Sequence, residues 1–144
     1  MAAMLDMQIQ TIIGMLAAPL LMGLVVAGEA SPVGDAQGTT VTHADAAGAG
    51  KLIADKKVVV LDIRTPKEYA AGHIAGATNI DFNASDFEKR LVQLDKSKTY
   101  LVHCASGGRS TKSLAQFKKL QFQSVVHLDG GIKAWQKAGQ PVEK

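Results

Sequence analysis

Short apolar runs without internal alternation recur along the chain: Val58-Val59-Val60-Leu61, Thr99-Tyr100-Leu101-Val102 and Ser124-Val125-Val126-His127-Leu128. Runs of this length, rich in β-branched residues and apolar at consecutive positions, are expected of strands buried on both faces, as in a parallel sheet. Thr39-Thr40-Val41 and Thr78-Asn79-Ile80 read as two shorter strands. Between the strands the spacing turns helical. Thr42-His43-Ala44-Asp45 reads as a helix cap with an acidic residue at the third helical position, leading into an Ala-rich helix to Ala54 that Gly48 and Gly50 weaken. Pro66 stands at or near the first position of the next helix, and Ala71-Gly72-His73-Ile74-Ala75-Gly76-Ala77 breaks it. Ala84-Ser85 precede a helix from Asp86 to Leu94 with Phe87, Leu91 and Leu94 on its apolar face. From Ser110 to Leu120 the spacing turns Leu114, Phe117 and Leu120 inward and Lys112, Gln116 and Lys119 outward. A last helix runs from about Ile132 to Lys137 and ends at Gly139, with Pro141 blocking extension. Strands alternating with helices define an α/β class, a parallel sheet with helices on both faces. No internal repeat is visible, so the domain is a single copy.

The N-terminal segment follows a different pattern. Residues 12–27 are apolar and uncharged throughout, interrupted by Pro19. That is short for a membrane span of about 20 residues and close to the apolar region of a secretory signal. Val25-x-Ala27 or Gly28-x-Ala30 offers a small-residue cleavage site. No Lys or Arg precedes Lys51, however, and Asp6 is acidic, so the usual basic start is missing. Three readings stay open: an atypical cleaved signal giving a periplasmic or secreted protein, an uncleaved anchor tethering the chain to a membrane through residues 12–27, or a start codon assigned too far upstream. Ser31 to Gly38 reads as a linker. The organisation is then a signal or anchor over 1–30, a linker over 31–38 and one domain over 39–144.

Composition narrows the functions. The 144 residues leave room for one domain after the N-terminal segment is set aside. Apolar residues make up 47% and charged residues 20%, with a formal charge of +3. The lysines are scattered, without a dense run or interleaved aromatics, which is the mark of a solvated surface and not of a nucleic-acid site. A single cysteine excludes an intrachain disulfide and any Cys-rich metal cluster. His43, His73, His103 and His127 show no i,i+4 or H-E-x-x-H spacing, so neither a metal nor another cofactor is expected.

The chemistry concentrates in Val102-His103-Cys104-Ala105-Ser106-Gly107-Gly108-Arg109-Ser110. A strand that turns into a helix through small residues presents converging backbone N–H groups and the positive end of the helix dipole. Cys104 at its mouth is expected to be a stabilised thiolate, a nucleophile and not a packing residue. Ala105 to Arg109 form the anion cradle, with Arg109 adding a fixed cation. Gly107 and Gly108 supply positive φ or close backbone approach. Ser110 either caps the following helix or supports the thiolate with its hydroxyl, and Ser106 is a weaker candidate of the same kind. Small loop side chains imply a shallow, open site, suited to a small donor or to the exposed thiol of a partner protein. Asp62, Arg64 and Glu68 read as ion-pair or capping groups at a strand end. His73 reads as a structural hydrogen-bond donor, and Trp135 as core. His103 precedes the nucleophile on a strand and so points to the opposite face.

Three stretches resemble the single-domain rhodanese family of sulfurtransferases. They are Leu61-Asp62-Ile63-Arg64-Thr65-Pro66-Lys67-Glu68-Tyr69 with its continuation to Ile80, Cys104-Ala105-Ser106-Gly107-Gly108-Arg109-Ser110, and Leu128-Asp129-Gly130-Gly131-Ile132-Lys133-Ala134-Trp135. The resemblance covers about residues 39 to 142. It implies an open parallel sheet of about five strands and a covalent cysteine persulfide in place of a cofactor. Cys104 would take the outer sulfur of thiosulfate and pass it to cyanide or a thiol, with Ala105, Ser106, Gly107, Gly108, Arg109 and Ser110 binding the donor. Related folds with phosphatase activity place five residues between cysteine and arginine, and here there are four. The tighter loop resembles the sulfurtransferases. A persulfide carrier with little turnover is the alternative. A regulatory copy without activity is disfavoured by the presence of Cys104.

Overall fold

The computed structural model describes residues 38–144, so the apolar N-terminal segment and nearly all of the linker lie outside the described residues. In chain order the elements are β1 (Thr40–Ala44), α1 (Ala46–Ala54), β2 (Val59–Asp62), α2 (Pro66–Ala71), β3 (Thr78–Asn79), α3 (Phe87–Val92), β4 (Thr99–His103), α4 (Gly108–Lys119), β5 (Ser124–Leu128) and α5 (Gly131–Lys137). The five strands form one sheet in the order β1-β5-β4-β2-β3, with every pairing parallel.

Because successive side chains on a strand face opposite ways, each apolar run feeds two cores. Leu61, Tyr100, Val102 and Val125 pack on one face with Phe87 and Leu91 of α3 and Phe117 of α4. Val60, Leu101, Val126 and Leu128 pack on the other with Ala46 and Ala49 of α1 and Ile132 and Trp135 of α5. Continuous apolar runs are therefore what this sheet requires. Trp135 is buried, and its indole N–H donates to the Pro141 carbonyl at 2.8 Å.

Several boundaries differ from the sequence expectation. Thr42, His43 and Ala44 do not cap a helix; they continue β1, because the strand pairs with β5 from Thr40↔Ser124 to Ala44↔Leu128. Asp45 itself is the cap, its carboxylate accepting the Gly48 N–H at 2.7 Å. α3 begins at Phe87 after Asp86, with no side-chain cap. α4 starts at Gly108, so Gly108 and Arg109 are its first turn and not loop.

Candidate active site

Cys104 follows the last residue of β4, the middle strand, where the chain turns through Ala105 and Ser106 into α4. Open parallel sheets bind ligands at this carboxyl edge. The turn rests on the start of α5: Ile132 N–H donates to the Cys104 carbonyl at 2.9 Å and Lys133 N–H to the Ala105 carbonyl at 3.1 Å. Two left-handed glycines, Gly130 (φ 75°) and Gly131 (φ 60°), bring those amides into place. A Cβ on Gly131 would stand 2.5 Å from the Cys104 carbonyl oxygen and 2.7 Å from the Ala105 carbonyl, so the loop lies directly on this glycine. Gly131 lies against Cys104 because β5 and β4 are neighbours.

The sulfur is enclosed by its own loop. Gly107, at φ 106°, turns its N–H onto Cys104 Sγ at 3.1 Å. Ser110 Oγ lies 3.5 Å from the same sulfur. Burial pushes the thiol pKa up, but hydrogen bonds from the Ser110 hydroxyl and amide and from the Gly107 and Ser106 amides outweigh it, and the net shift is downward. Cys104 is only 1% exposed. The expectation of a shallow, open site is corrected on this point: Ser106 and Gly108 are exposed at the rim, yet the thiol belongs to the core cluster beneath. Small side chains let the loop curl over the sulfur and do not lay it bare. Of the two adjacent glycines, Gly107 needs its left-handed backbone; Gly108 is helical, with open space where a side chain would go.

Arg109 is not a free cation. Its two terminal nitrogens donate to the two oxygens of Glu68 at 2.9 and 2.8 Å, a bidentate pair. Glu68 also accepts the Thr65 N–H and hydroxyl at 3.0 and 2.9 Å, completing a capping box at the start of α2. Glu68 is thus tied to the first turn of α4, a link that the sequence did not reveal. The Arg109 guanidinium holds the Glu68 pKa down at about 2, against an ordinary 4.5. A depressed carboxylate contributes stability that is present above the ordinary value and lost as pH falls through the folded one. The difference in melting temperature between the wild type and Glu68→Gln should therefore be constant above pH 4.5 and shrink between pH 4.5 and about 2. A difference that persists unchanged through that window would exclude the pair as its source.

Asp62 and Arg64 form a buried pair: Arg64 Nε donates to both Asp62 oxygens at 2.9 and 3.0 Å, and its Nη2 donates to the Gly72 carbonyl at 2.8 Å. His103 is opposite Asp62 in the register, with Nε2 3.7 Å from the carboxylate and no hydrogen-bond partner. Burial lowers its pKa despite the Asp62 charge, which keeps the ring neutral. His73 stacks on Tyr69 at 3.8 Å, and its Nδ1 lies 3.0 Å from the Tyr69 carbonyl. Its backbone exchanges two 2.8 Å hydrogen bonds with Glu143. These contacts tie the end of β2 to Gly72 and the His73 segment to Glu143. One residue that sequence reasoning passed over does reach the site. His127 of β5 places Nε2 2.8 Å from Ser110 Oγ. The available signal was its place in the strand, since Val125 and His127 share a face.

Comparison with known proteins agrees with this geometry. A family model for the rhodanese-like domain matches residues 45–138. A probable adenylyltransferase/sulfurtransferase MoeZ of Mycobacterium tuberculosis is 36% identical over 117 residues, covering 81% of this chain and 29% of that protein. The thiosulfate sulfurtransferase GlpE of Pseudomonas entomophila is 40% identical over 78 residues, covering 54% of this chain and 69% of that one. The chain spans 29% to 48% of the length of the first curated relatives it matches. Among solved structures, a rhodanese-related protein from Thermoplasma volcanium superposes with a TM-score of 0.64 at 33% identity, covering 71% of this chain and 97% of that one.

Proposed function

Because the chain belongs to the rhodanese-like domain family, we propose that it is a thiosulfate sulfurtransferase in which Cys104 carries the sulfur as a persulfide. The observation that carries this reading is the single cysteine of the chain, held at the start of α4 by the Gly107 amide and the Ser110 hydroxyl with its pKa lowered. The Cys104 thiolate attacks the outer sulfur of thiosulfate. A new S–S bond forms, the S–S bond of thiosulfate breaks, and sulfite leaves with the bonding pair. The amides that held the thiolate then face the persulfide anion. Cyanide attacks the outer sulfur, leaves as thiocyanate and restores the thiolate; a small thiol or a protein thiol replaces cyanide as acceptor. The cysteine itself is the sulfur carrier, so the cycle calls on no further cofactor or metal. Arg109 is the group for the sulfonate end of the donor, which competes with Glu68 for it. Nucleic acid has no part in this reading.

Intact mass tests both this chemistry and the fate of the N-terminus. Thiosulfate should add one sulfur, about 32 Da, that cyanide removes, with continuous thiocyanate production when both are present. One loading without turnover would favour the persulfide carrier, and no loading would remove the sulfurtransferase reading. We further propose that residues 1–30 export or tether the domain. Protein from its native host should lack the first 27 to 30 residues, or keep full length in the membrane fraction. Full length in the soluble fraction would overturn both forms of that proposal.

A further inference from the structure

A continuous row of polar atoms joins the nucleophile to the surface, and persulfide chemistry does not by itself call for it. Ser110 Oγ stands 3.5 Å from Cys104 Sγ and 2.8 Å from His127 Nε2. On the far side of the ring, His127 Nδ1 lies 3.0 Å from Asp129 Oδ1, and His43 Nδ1 reaches the same oxygen at 2.8 Å. The inner groups are buried: Ser110 is 0% exposed and His127 3%. The outer pair is not, since the side chains of His43 and Asp129 are 57% and 55% exposed. Strand geometry builds the row. His127 shares the sheet face of Val125, and therefore of Cys104, and the β1–β5 register sets His43 directly beside it.

The hydrogen-bond polarity of the row is fixed from its outer end. The hydrogen bonds from His43 and His127 hold the Asp129 carboxyl below its usual range, so it is ionised and accepts. With His127 Nδ1 donating to that carboxylate, Nε2 is the acceptor that faces the Ser110 hydroxyl. The Ser110 oxygen in turn faces the thiol. We infer that Ser110 and His127 form a proton relay that takes the Cys104 thiol proton, with Asp129 as the positioning residue that sets the ring tautomer. This inference rests on the proposed sulfur transfer, for which it supplies the thiolate.

The step balances without any redox change. The Cys104 S–H bond breaks and its proton passes to Ser110 Oγ, while the proton already on Ser110 moves to His127 Nε2. Thiolate and imidazolium result, and the Asp129 carboxylate faces the imidazolium. Ser110 now donates to the sulfur and accepts from Nε2–H, so its two relay contacts survive with their direction reversed while Nδ1–H still donates to Asp129. Competition for the Ser110 proton comes from the Gly107 carbonyl at 3.1 Å. The groups facing His127 are His43 from β1, Asp129 beyond β5, and the Ser110 and Thr111 hydroxyls from α4.

Alkylation of Cys104 by iodoacetamide across pH reads thiolate formation directly, because the chain has one cysteine. Ser110→Ala and His127→Gln should each raise the alkylation midpoint by about one pH unit and slow the reaction roughly tenfold near neutrality, with rates converging on wild type at alkaline pH. Glutamine preserves a hydrogen bond to Ser110 but does not titrate, so a purely structural role for His127 predicts no shift. The double variant should be no slower than the slower single one, because both act on one path. Asp129→Asn lies at the surface, should shift the midpoint the same way by less, and serves should His127→Gln fail to fold. A His127→Gln or Asp129→Asn profile superimposed on wild type, or additive effects in the double variant, would overturn the relay. Failure of the sulfurtransferase reading looks different: wild type and variants would show these profiles while thiosulfate neither loads nor turns over.

Discussion

Cys104→Ser should abolish sulfur loading and lower thiocyanate production from thiosulfate and cyanide by about ten-thousandfold or more, while the protein stays folded. The loss follows from bond chemistry: a serine oxygen cannot form a persulfide, and an alcohol stays protonated in a cradle that lowers a thiol's pKa. Retention of fold needs a closer argument, because Cys104 is 1% exposed and packs in the core cluster with Val102 and Phe117. Serine keeps the shape and leaves the Gly107 amide an acceptor in place of Sγ, now 3.1 Å away. The buried hydroxyl also meets Ser110 Oγ. Unfolding should therefore shift by only about 1 kcal/mol. Alanine is the poorer choice, since it leaves the Gly107 N–H without its partner and opens a void. Intact mass, thiocyanate assay and chemical unfolding on one preparation check all three points. Loading that survived in the serine variant would place the sulfur somewhere other than a cysteine, because the chain has no second one.

The parts of this site that were legible in the sequence are those set by neighbours along the chain. The apolar runs at Val58, Thr99 and Ser124 mark buried strands because every side chain of a strand in such a sheet meets a core. The spacing of Cys104 and Arg109 marks the loop, and its shortness is a local property. β1 was misread because Thr42-His43-Ala44-Asp45 carries polar residues that suit a cap, and only the pairing partner, β5, decides that the first three remain extended. What escaped is set by neighbours across the sheet. Glu68 sits 41 residues before Arg109, and His127 17 residues after Ser110. The strand order β5-β4-β2 brings both to the first turn of α4, yet no periodicity in the chain records that order. Burial of the thiol is likewise a consequence of backbone path: a glycine at φ 106° folds the loop onto the sulfur, which residue size alone did not disclose.

The largest expected stability effect lies outside the loop, at Gly131. Gly131→Ala should destabilise the protein by about 3 to 5 kcal/mol and lower turnover about a hundredfold. Two costs combine. Its φ of 60° is left-handed, which an alanine adopts at about 1 kcal/mol. The greater cost is contact, because the new Cβ would stand 2.5 Å from the Cys104 carbonyl oxygen and 2.7 Å from the Ala105 carbonyl carbon and oxygen. These are backbone atoms and cannot rotate aside. The loop must lift, and with it go the hydrogen bonds from Ile132 and Lys133 that fix it from below. Lifting the loop moves Sγ relative to the Gly107 amide and Ser110 hydroxyl, so activity falls together with stability. Gly108→Ala provides the contrast within the same site. Gly108 is helical, with nothing within 4 Å of an added Cβ, so alanine should leave stability unchanged or raise it by up to about 1 kcal/mol. Urea unfolding of the two variants beside the wild type separates the cases. Gly131→Ala with wild-type stability would mean that the α5 start does not support the loop, and the placement of Cys104 would have to come from α4 alone.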